Sequence, residues 1–221
     1  MKKNQNWLVA PFVLLAFGGM TQAAAADAAP ATAFGKVAAS REVRQLAGWI
    51  VKSADNQTLP FVIVDKKMAK VFVFLPDGQL RGAAPVLLGL SRGDDTVPGI
   101  GERKLATIAP HERTTPSGRF VAALGTNLQG KDIVWVDYAA AISMHRVVTS
   151  DATERRAQRL ASPSALDNRI SYGCINVPVK FYERVLSPSF KQSSGIVYIL
   201  PDNKPMEQVF AAFHASLNAA P

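Results

Sequence analysis

The chain has 221 residues, of which 48% are hydrophobic and 19% are charged, so it has the composition of a globular domain and not of a disordered chain. Lys and Arg outnumber Asp and Glu by 25 to 17, which gives a formal net charge of +8. A single cysteine and three histidines exclude an intramolecular disulfide framework and a zinc cluster of the Cys₄ or Cys₂His₂ kind.

Residues 1–26 have the layout of a secretory signal peptide. Met1–Lys3 is positively charged, residues 7–20 are mostly apolar, and the alanine-rich stretch that ends at Ala26 offers cleavage sites. The apolar run is short for a membrane span and contains Pro11, although an uncleaved anchor is the alternative. Cleavage would remove two lysines and no acid, which lowers the net charge to about +6. We expect an exported protein with no integral membrane span after cleavage and no nucleic-acid partner.

Residues 27–57 are predicted to be a leader followed by a helix. Ser40 is a suitable N-cap, and apolar residues at positions 43, 46, 47, 50 and 51 fall on one face of a helix that continues to about Lys52.

From residue 58 the apolar residues occur in short β-branched and aromatic runs, which predict strands. The predicted strands are residues 61–64, 71–75, 84–90, 119–124, 132–138, 141–148 and 196–200. Helices are predicted after the cap Asp151, over 177–186 and over 205–217. This order predicts a β-rich α+β domain over residues 58–202 and a C-terminal helix within 203–221, not a doubly wound sheet.

The segment Ser171–Asn176, with sequence SYGCIN, is the strongest candidate site. The Cys174 thiol would need a base and a positive potential to act as a nucleophile. His145, at a strand end, is the candidate base, with a backbone carbonyl as its orienting partner. A helix starting just after Cys174 would lower the thiol pKa, and the N–H groups of Tyr172, Gly173 and Cys174 are candidate oxyanion donors. From the spacing alone, a small buried apolar residue at Cys174 is the alternative, as free cysteines often are.

Three parts of the sequence resemble the L,D-transpeptidase (YkuD-type) family. Ser-x-Gly-Cys-Ile at 171–175, preceded by His145, resembles the family's cysteine signature. Thr115–Phe120 resembles its TP-x-G-x-(F/Y) element, and Phe61–Lys67 with Lys70–Phe74 resembles its opening strand pair.

The resemblance covers roughly residues 59–200 and implies an L,D-transpeptidase-like β-sandwich catalytic domain with a few short peripheral helices. It implies that Cys174 attacks a peptidoglycan stem peptide with His145 as base, and that no metal or organic cofactor takes part. The acyl group would pass from the L-centre of a diamino acid to an amine of a second stem peptide or to water. Ser171 and Tyr172 are expected to order the cysteine loop and to line the substrate groove. The compartment implied is the periplasm.

Two features depart from the family pattern. Asn176 stands where the family usually has Arg, and Arg146 and Arg169 are the expected substitutes. The spacing from His145 to Cys174 is longer than usual because of the segment 151–168, whose arginines form either a lid or a solvated face.

Two other functions remain open from the sequence. The same cysteine could act as a hydrolase, an L,D-carboxypeptidase or amidase, because only the acceptor differs. A wall-binding domain without catalysis is the second alternative. The acceptor and the oligomeric state are not indicated by the sequence.

Overall fold

The computed structural model describes residues 34–218, so the predicted signal peptide, residues 1–26, lies outside the described residues. The strands in this part of the chain are β1 Phe61–Asp65, β2 Lys70–Phe74, β3 Leu80–Pro85, β4 Leu88–Gly89, β5 Gly118–Thr126, β6 Asp132–Asp137, β7 Ile142–Arg146, β8 Arg169–Ser171, β9 Ile175–Val177 and β10 Gly195–Ile199.

The helices are short apart from the first. They are α1 Arg41–Ser53, α2 Arg156–Ala161, α3 Val179–Phe181, the π-helical segment Tyr182–Leu186, α4 Ser187–Ser189, α5 Met206–Val209 and α6 Ala211–Asn218. Single 3₁₀ turns form at Ile100–Glu102, Leu105–Thr107, Pro110–Glu112 and Ala152–Glu154. Over residues 34–218, none of the helices has the length and apolar character needed to cross a membrane.

Eight strands form one mixed sheet in the order β3-β2-β1-β10-β5-β6-β7-β9, and β4 pairs with β8 in a separate two-stranded sheet. The pairs β1–β10, β7–β9 and β4–β8 are parallel, and the remaining pairs are antiparallel. The predicted β-rich α+β class is confirmed.

The central strands are buried on both faces, which explains why their sequences are continuous runs of apolar residues and do not alternate with polar ones. Val62 and Val64 of β1 share one apolar core with Met144 and Ile175 from the far end of the sheet, so the sheet curves around this core. The alternate residues of β1, such as Ile63, face a second core that α1 and α6 cover.

Helix α1 is fixed to the sheet at its first turn. The Ser40 hydroxyl accepts from the Val43 N–H at 3.3 Å, as an N-cap does, and donates to the Asp65 carboxylate at 2.7 Å. Leu46 and Ile50 are fully buried on the sheet-facing side of the helix. The helix predicted from Ser40 to about Lys52 is therefore present, and it packs on the end of β1.

Several predicted boundaries move because tertiary pairing overrides local pattern. The strand predicted over 84–90 is divided between β3 and β4. The helix predicted from Val177 begins at Val179, because residues 175–177 pair with β7 as a strand. The helix predicted after Asp151 is a 3₁₀ turn followed by α2, because Arg155 adopts a left-handed conformation with φ of 50°.

A buried ion cluster lies behind the cysteine loop. The Lys66 ammonium is fully buried and lies 2.8 Å from the Asp94 carboxylate and 3.5 Å from that of Asp202. It also donates to the backbone carbonyl of Thr115 at 2.8 Å. Because a buried charge requires such partners, the cluster fixes the strand-to-loop segment that carries Thr115.

Candidate active site

The parallel pairing of β7 with β9 brings His145 and Cys174 together. His145 is in register with Asn176, and Cys174 directly precedes β9. The imidazole of His145 and the thiol of Cys174 both line one recess, and each shifts the pKa of the other. Two residues that are distant in the chain thus lie side by side at one edge of the sheet, the arrangement that a thiol nucleophile and its base would need.

The imidazole of His145 is held by its own strand. Its Nδ1 lies 2.8 Å from the backbone carbonyl of Arg146, so Nδ1 carries the proton and donates to this oxygen. The Nε2 atom is then left to accept a proton. The orienting carbonyl that the sequence left unspecified is that of Arg146.

The two groups shift each other's proton affinity. Burial opposes ionisation of the thiol, but the hydrogen bond and the charge of His145, with the hydroxyl and backbone N–H of Ser143, lower the pKa of Cys174. Burial likewise opposes protonation of the imidazole, but the hydrogen bond and charge of Cys174 raise the pKa of His145. Both shifts favour a thiolate–imidazolium pair.

Ser143 contacts the sulfur directly and was not predicted as a site residue. Its Oγ lies 3.6 Å from the Sγ of Cys174, and the thiol donates to the carbonyl of Ala141 at 3.4 Å. Ser143 and His145 are two positions apart on β7, so they share one face of the strand. That period of two is the sequence signal that could have identified Ser143.

The loop before Cys174 is fixed by Ser171 and Gly173. The Ser171 hydroxyl donates to the Cys174 carbonyl at 2.6 Å and accepts from the Gly173 N–H at 3.1 Å. Gly173 has φ of 130°, and a Cβ there would lie 2.7 Å from the Thr114 carbonyl oxygen. Glycine is therefore required at this position on conformational and steric grounds.

Two expectations about the thiolate's surroundings are corrected. No helix starts directly after Cys174, since β9 intervenes and α3 begins at Val179, so a helix dipole does not activate the sulfur. The Gly173 N–H is already bonded to Ser171, which leaves the N–H groups of Tyr172 and Cys174 as candidate oxyanion donors.

Cys174 is half-buried and opens on two recesses. The larger has a volume of about 800 Å³ and includes His145, Ser143, Trp135 and Tyr138 in its lining. Trp135 and Tyr138 pack edge to face with ring centroids 5.1 Å apart. The smaller recess, about 80 Å³, lies on the Tyr172 side of the sulfur. The thiol is accordingly open to a ligand.

Tyr172 is held at the smaller recess by a cation–π contact. The Arg113 guanidinium lies 4.0 Å from the centroid of its ring. Tyr172 thus lies beside Cys174 in the lining of the smaller recess.

The structure does not bring Arg146 or Arg169 to either recess. Arg146 pairs with the carboxylates of Asp132 and Glu183 at 2.8 and 3.2 Å. Arg169 is buried against Asp202 at 2.7 Å, in the ion cluster.

The guanidinium that reaches Asn176 comes from Arg156 at the start of α2. Its Nη1 donates to the Asn176 side-chain oxygen at 2.6 Å. This contact spans twenty positions and has no local signal in the sequence.

The chemistry available is that of a thiolate and an imidazole. Among residues 34–218, no group of three or more His, Cys, Asp or Glu side chains is placed to hold a metal ion.

Comparisons with known proteins find similarity of structure only. No family profile and no curated protein sequence matches the chain. Solved structures with a related architecture include the helical cell shape determining protein Pgp2 from Campylobacter jejuni, with a TM-score of 0.44 and 14% identity over 66% of this chain and 49% of that one. An L,D-transpeptidase from Mycobacterium smegmatis has a TM-score of 0.36 and 12% identity over 64% of this chain and 58% of its own. The catalytic domain of the E. faecium L,D-transpeptidase has a TM-score of 0.36 and 17% identity over 64% of this chain and 96% of its own. This chain covers less than two thirds of the first two, and the likeness is one of fold.

Proposed function

We propose that the protein is a cysteine L,D-transpeptidase that acts on peptidoglycan stem peptides through a thioester on Cys174. The observation that carries the proposal is the His145–Cys174 pair, with the imidazole anchored through Nδ1 and the sulfur open to an 800 Å³ recess. The substrate class rests on the motif at residues 171–175 and on the TP-x-G element at 115–118.

In the first half-reaction the thiolate of Cys174 attacks the carbonyl carbon at the L-centre of a diamino acid. The C–S bond forms, and the N–H groups of Tyr172 and Cys174 are the proposed donors to the oxyanion. As the tetrahedral intermediate collapses, the C–N bond breaks and the departing amine takes the proton from the Nε2 of His145. The products are the acyl-enzyme and a free amino acid, D-Ala in the usual stem peptide.

In the second half-reaction an amine of another stem peptide attacks the thioester. His145 accepts the proton that this amine loses, the C–S bond breaks, and the thiolate–imidazolium pair is restored. Water in place of the amine would give a free tripeptide. The proposal includes export to the periplasm, because the N-terminal 26 residues have the layout of a signal peptide.

The test is incubation of the full chain with purified disaccharide-tetrapeptide, followed by mass spectrometry. Cross-linked dimers that have lost one D-Ala, or exchange of D-Ala for an added D-amino acid, are the expected products. Free tripeptide as the sole product would show that the protein is a hydrolase and not a transferase. If neither product forms and Cys174→Ala still binds the cell wall, the catalytic proposal is refuted.

The control variants are Cys174→Ala and Ser193→Ala, the latter at an exposed position that is not part of the recess lining. We expect the first to lose all turnover and the second to retain it. Turnover at the wild-type rate by Cys174→Ala would refute the thioester.

The thiol itself is tested by the pH dependence of alkylation with iodoacetamide. A catalytic thiolate reacts well below the ordinary thiol pKa of about 8.5. An ordinary pKa for Cys174 would favour the wall-binding alternative.

A further inference from the structure

Between β7 and β8 the chain carries an inserted segment whose first helix, α2, presents Arg156 to the site. The Arg156 guanidinium is nearly buried, with 12% of its side chain exposed. It pairs with both carboxylate oxygens of Glu154, at 2.6 and 3.2 Å. Its third contact is the 2.6 Å bond to the Asn176 side-chain oxygen. Because the planar guanidinium is bonded to Glu154 on one side and to Asn176 on the other, its orientation is fixed.

Arg156 and the Cys174 carbonyl together fix how the Asn176 amide is turned. A guanidinium can only donate, so the atom that it contacts is the amide oxygen, and the NH₂ group faces the other way. That NH₂ group lies 3.3 Å from the Cys174 carbonyl and 3.4 Å from the Nε2 of His145. Asn176 is fully buried, and its own N–H and C=O are both bonded to Leu87. Its side chain therefore has no other partner to turn towards.

An amide donor beside Nε2 favours the neutral imidazole, because only the neutral ring has a lone pair there. The positive charge of Arg156 acts in the same direction and lowers the pKa of His145. Cys174, from the loop before β9, acts in the opposite direction. Arg146, on the same strand as His145, is engaged with carboxylates and points elsewhere.

We propose that Arg156 is a positioning residue for the His145–Cys174 pair, and that it acts through the Asn176 amide to hold the Nε2 of His145 in place and to make the imidazolium of the pair give up its proton more readily. The inference rests on the proposed thiol chemistry for its catalytic meaning. The inserted segment then has a function in the site and is not only a solvated face.

The experiment measures the His145 titration by NMR in a Cys174→Ala background, where the thiol no longer contributes. His111 and His214 are the chain's other histidines and serve as internal references. Arg156→Gln removes the charge and the guanidinium contact that holds the amide oxygen, so we expect the pKa of His145 to rise by about half a unit or more. The matched control is Arg155→Gln, which removes the same charge from an exposed neighbour and should leave all three titrations unchanged.

Identical His145 titrations in Arg156→Gln and Arg155→Gln would overturn the proposal. If Arg156→Gln does not fold, Arg156→Lys retains the charge but cannot hold Glu154 and Asn176 with one planar group. With the amide donor displaced, His145 is protonated more readily and stabilises the thiolate, so we then expect Cys174 alkylation near neutral pH to be at least about threefold faster than in Arg155→Lys. Equal rates would overturn the proposal. The NMR titration needs no turnover, so a failure of the transpeptidase proposal is distinguishable from a failure of this one.

Discussion

The hydroxyl of Thr115 donates a 2.8 Å hydrogen bond to the backbone carbonyl of Gly173, the residue before the candidate nucleophile. The same hydroxyl accepts from the N–H of Gly89 at 2.9 Å. Thr115 is fully buried, and its carbonyl accepts from the ammonium of Lys66. Thr115 thus links the cysteine loop and strand β4 through its hydroxyl, and the buried ion cluster through its backbone carbonyl.

Replacing Thr115 by Val retains the shape of the side chain and removes both bonds. The Gly173 carbonyl and the Gly89 N–H would be left buried without a partner, so we expect a loss of about 1–3 kcal/mol in the free energy of unfolding. Urea denaturation measures it, and Thr115→Ser, which retains the hydroxyl, should lose less. A Val variant as stable as the wild type would contradict this role.

The second prediction contrasts two glycine-to-alanine substitutions. Gly173→Ala would place a Cβ 2.7 Å from the Thr114 carbonyl oxygen and 2.8 Å from the Ile142 side chain. With φ of 130° as well, we expect it to cost about 1–3 kcal/mol and to slow alkylation of Cys174. Gly48 lies within α1 with no atom within 4 Å of the added Cβ. Gly48→Ala should instead stabilise the protein by about 0.5–1 kcal/mol. Equal effects at the two positions would contradict the steric argument.

The third prediction concerns Ser143, whose hydroxyl helps to lower the pKa of Cys174. Ser143→Ala removes that donor, so the thiolate is less stabilised and the thiol pKa should rise by roughly half a unit to one unit. The iodoacetamide rate profile would move to higher pH by the same amount. Ser193→Ala is the control, and an unmoved profile in Ser143→Ala would remove Ser143 from the site.

The long central strands could be predicted from the sequence because pattern and environment agree there. Residues 61–64 and 196–199 are apolar throughout and are buried on both faces. Strands β8 and β9 have only three residues each, and pairing with distant strands, not local propensity, determines them. The same pairing displaced the helix that was expected directly after Cys174.

The proximity of His145 and Cys174 was predictable from the sequence, and the residues that surround them were less so. The residues of the motif and His145 belong to recognisable patterns, whereas the contact of Arg156 with Asn176 depends on how the inserted segment folds. The roles expected of Arg146 and Arg169 rested on proximity in the chain. Each is engaged by carboxylates that the sequence does not place beside it.

The last prediction concerns Asp94, whose ionisation contributes to stability in a pH-dependent way. Burial opposes that ionisation, but the Lys66 ammonium and the backbone N–H groups of residues 202–204 hold the pKa of Asp94 well below its usual range. A carboxyl group whose pKa is depressed on folding stabilises the native state above its unfolded pKa of about 3.9, and this contribution is lost as the pH falls. The free energy of unfolding should therefore decline from about pH 5 towards pH 2, and Asp94→Asn should reduce this decline.

Near neutral pH, Asp94→Asn should cost about 3–5 kcal/mol in the free energy of unfolding, because it leaves Lys66 buried with fewer charged partners. Asp95, its exposed neighbour, pairs only with Lys204 at the surface, so Asp95→Asn should cost less than about 1 kcal/mol. Urea denaturation across this pH range distinguishes the two variants, and an equal slope in both would show that Asp94 is not the group that titrates.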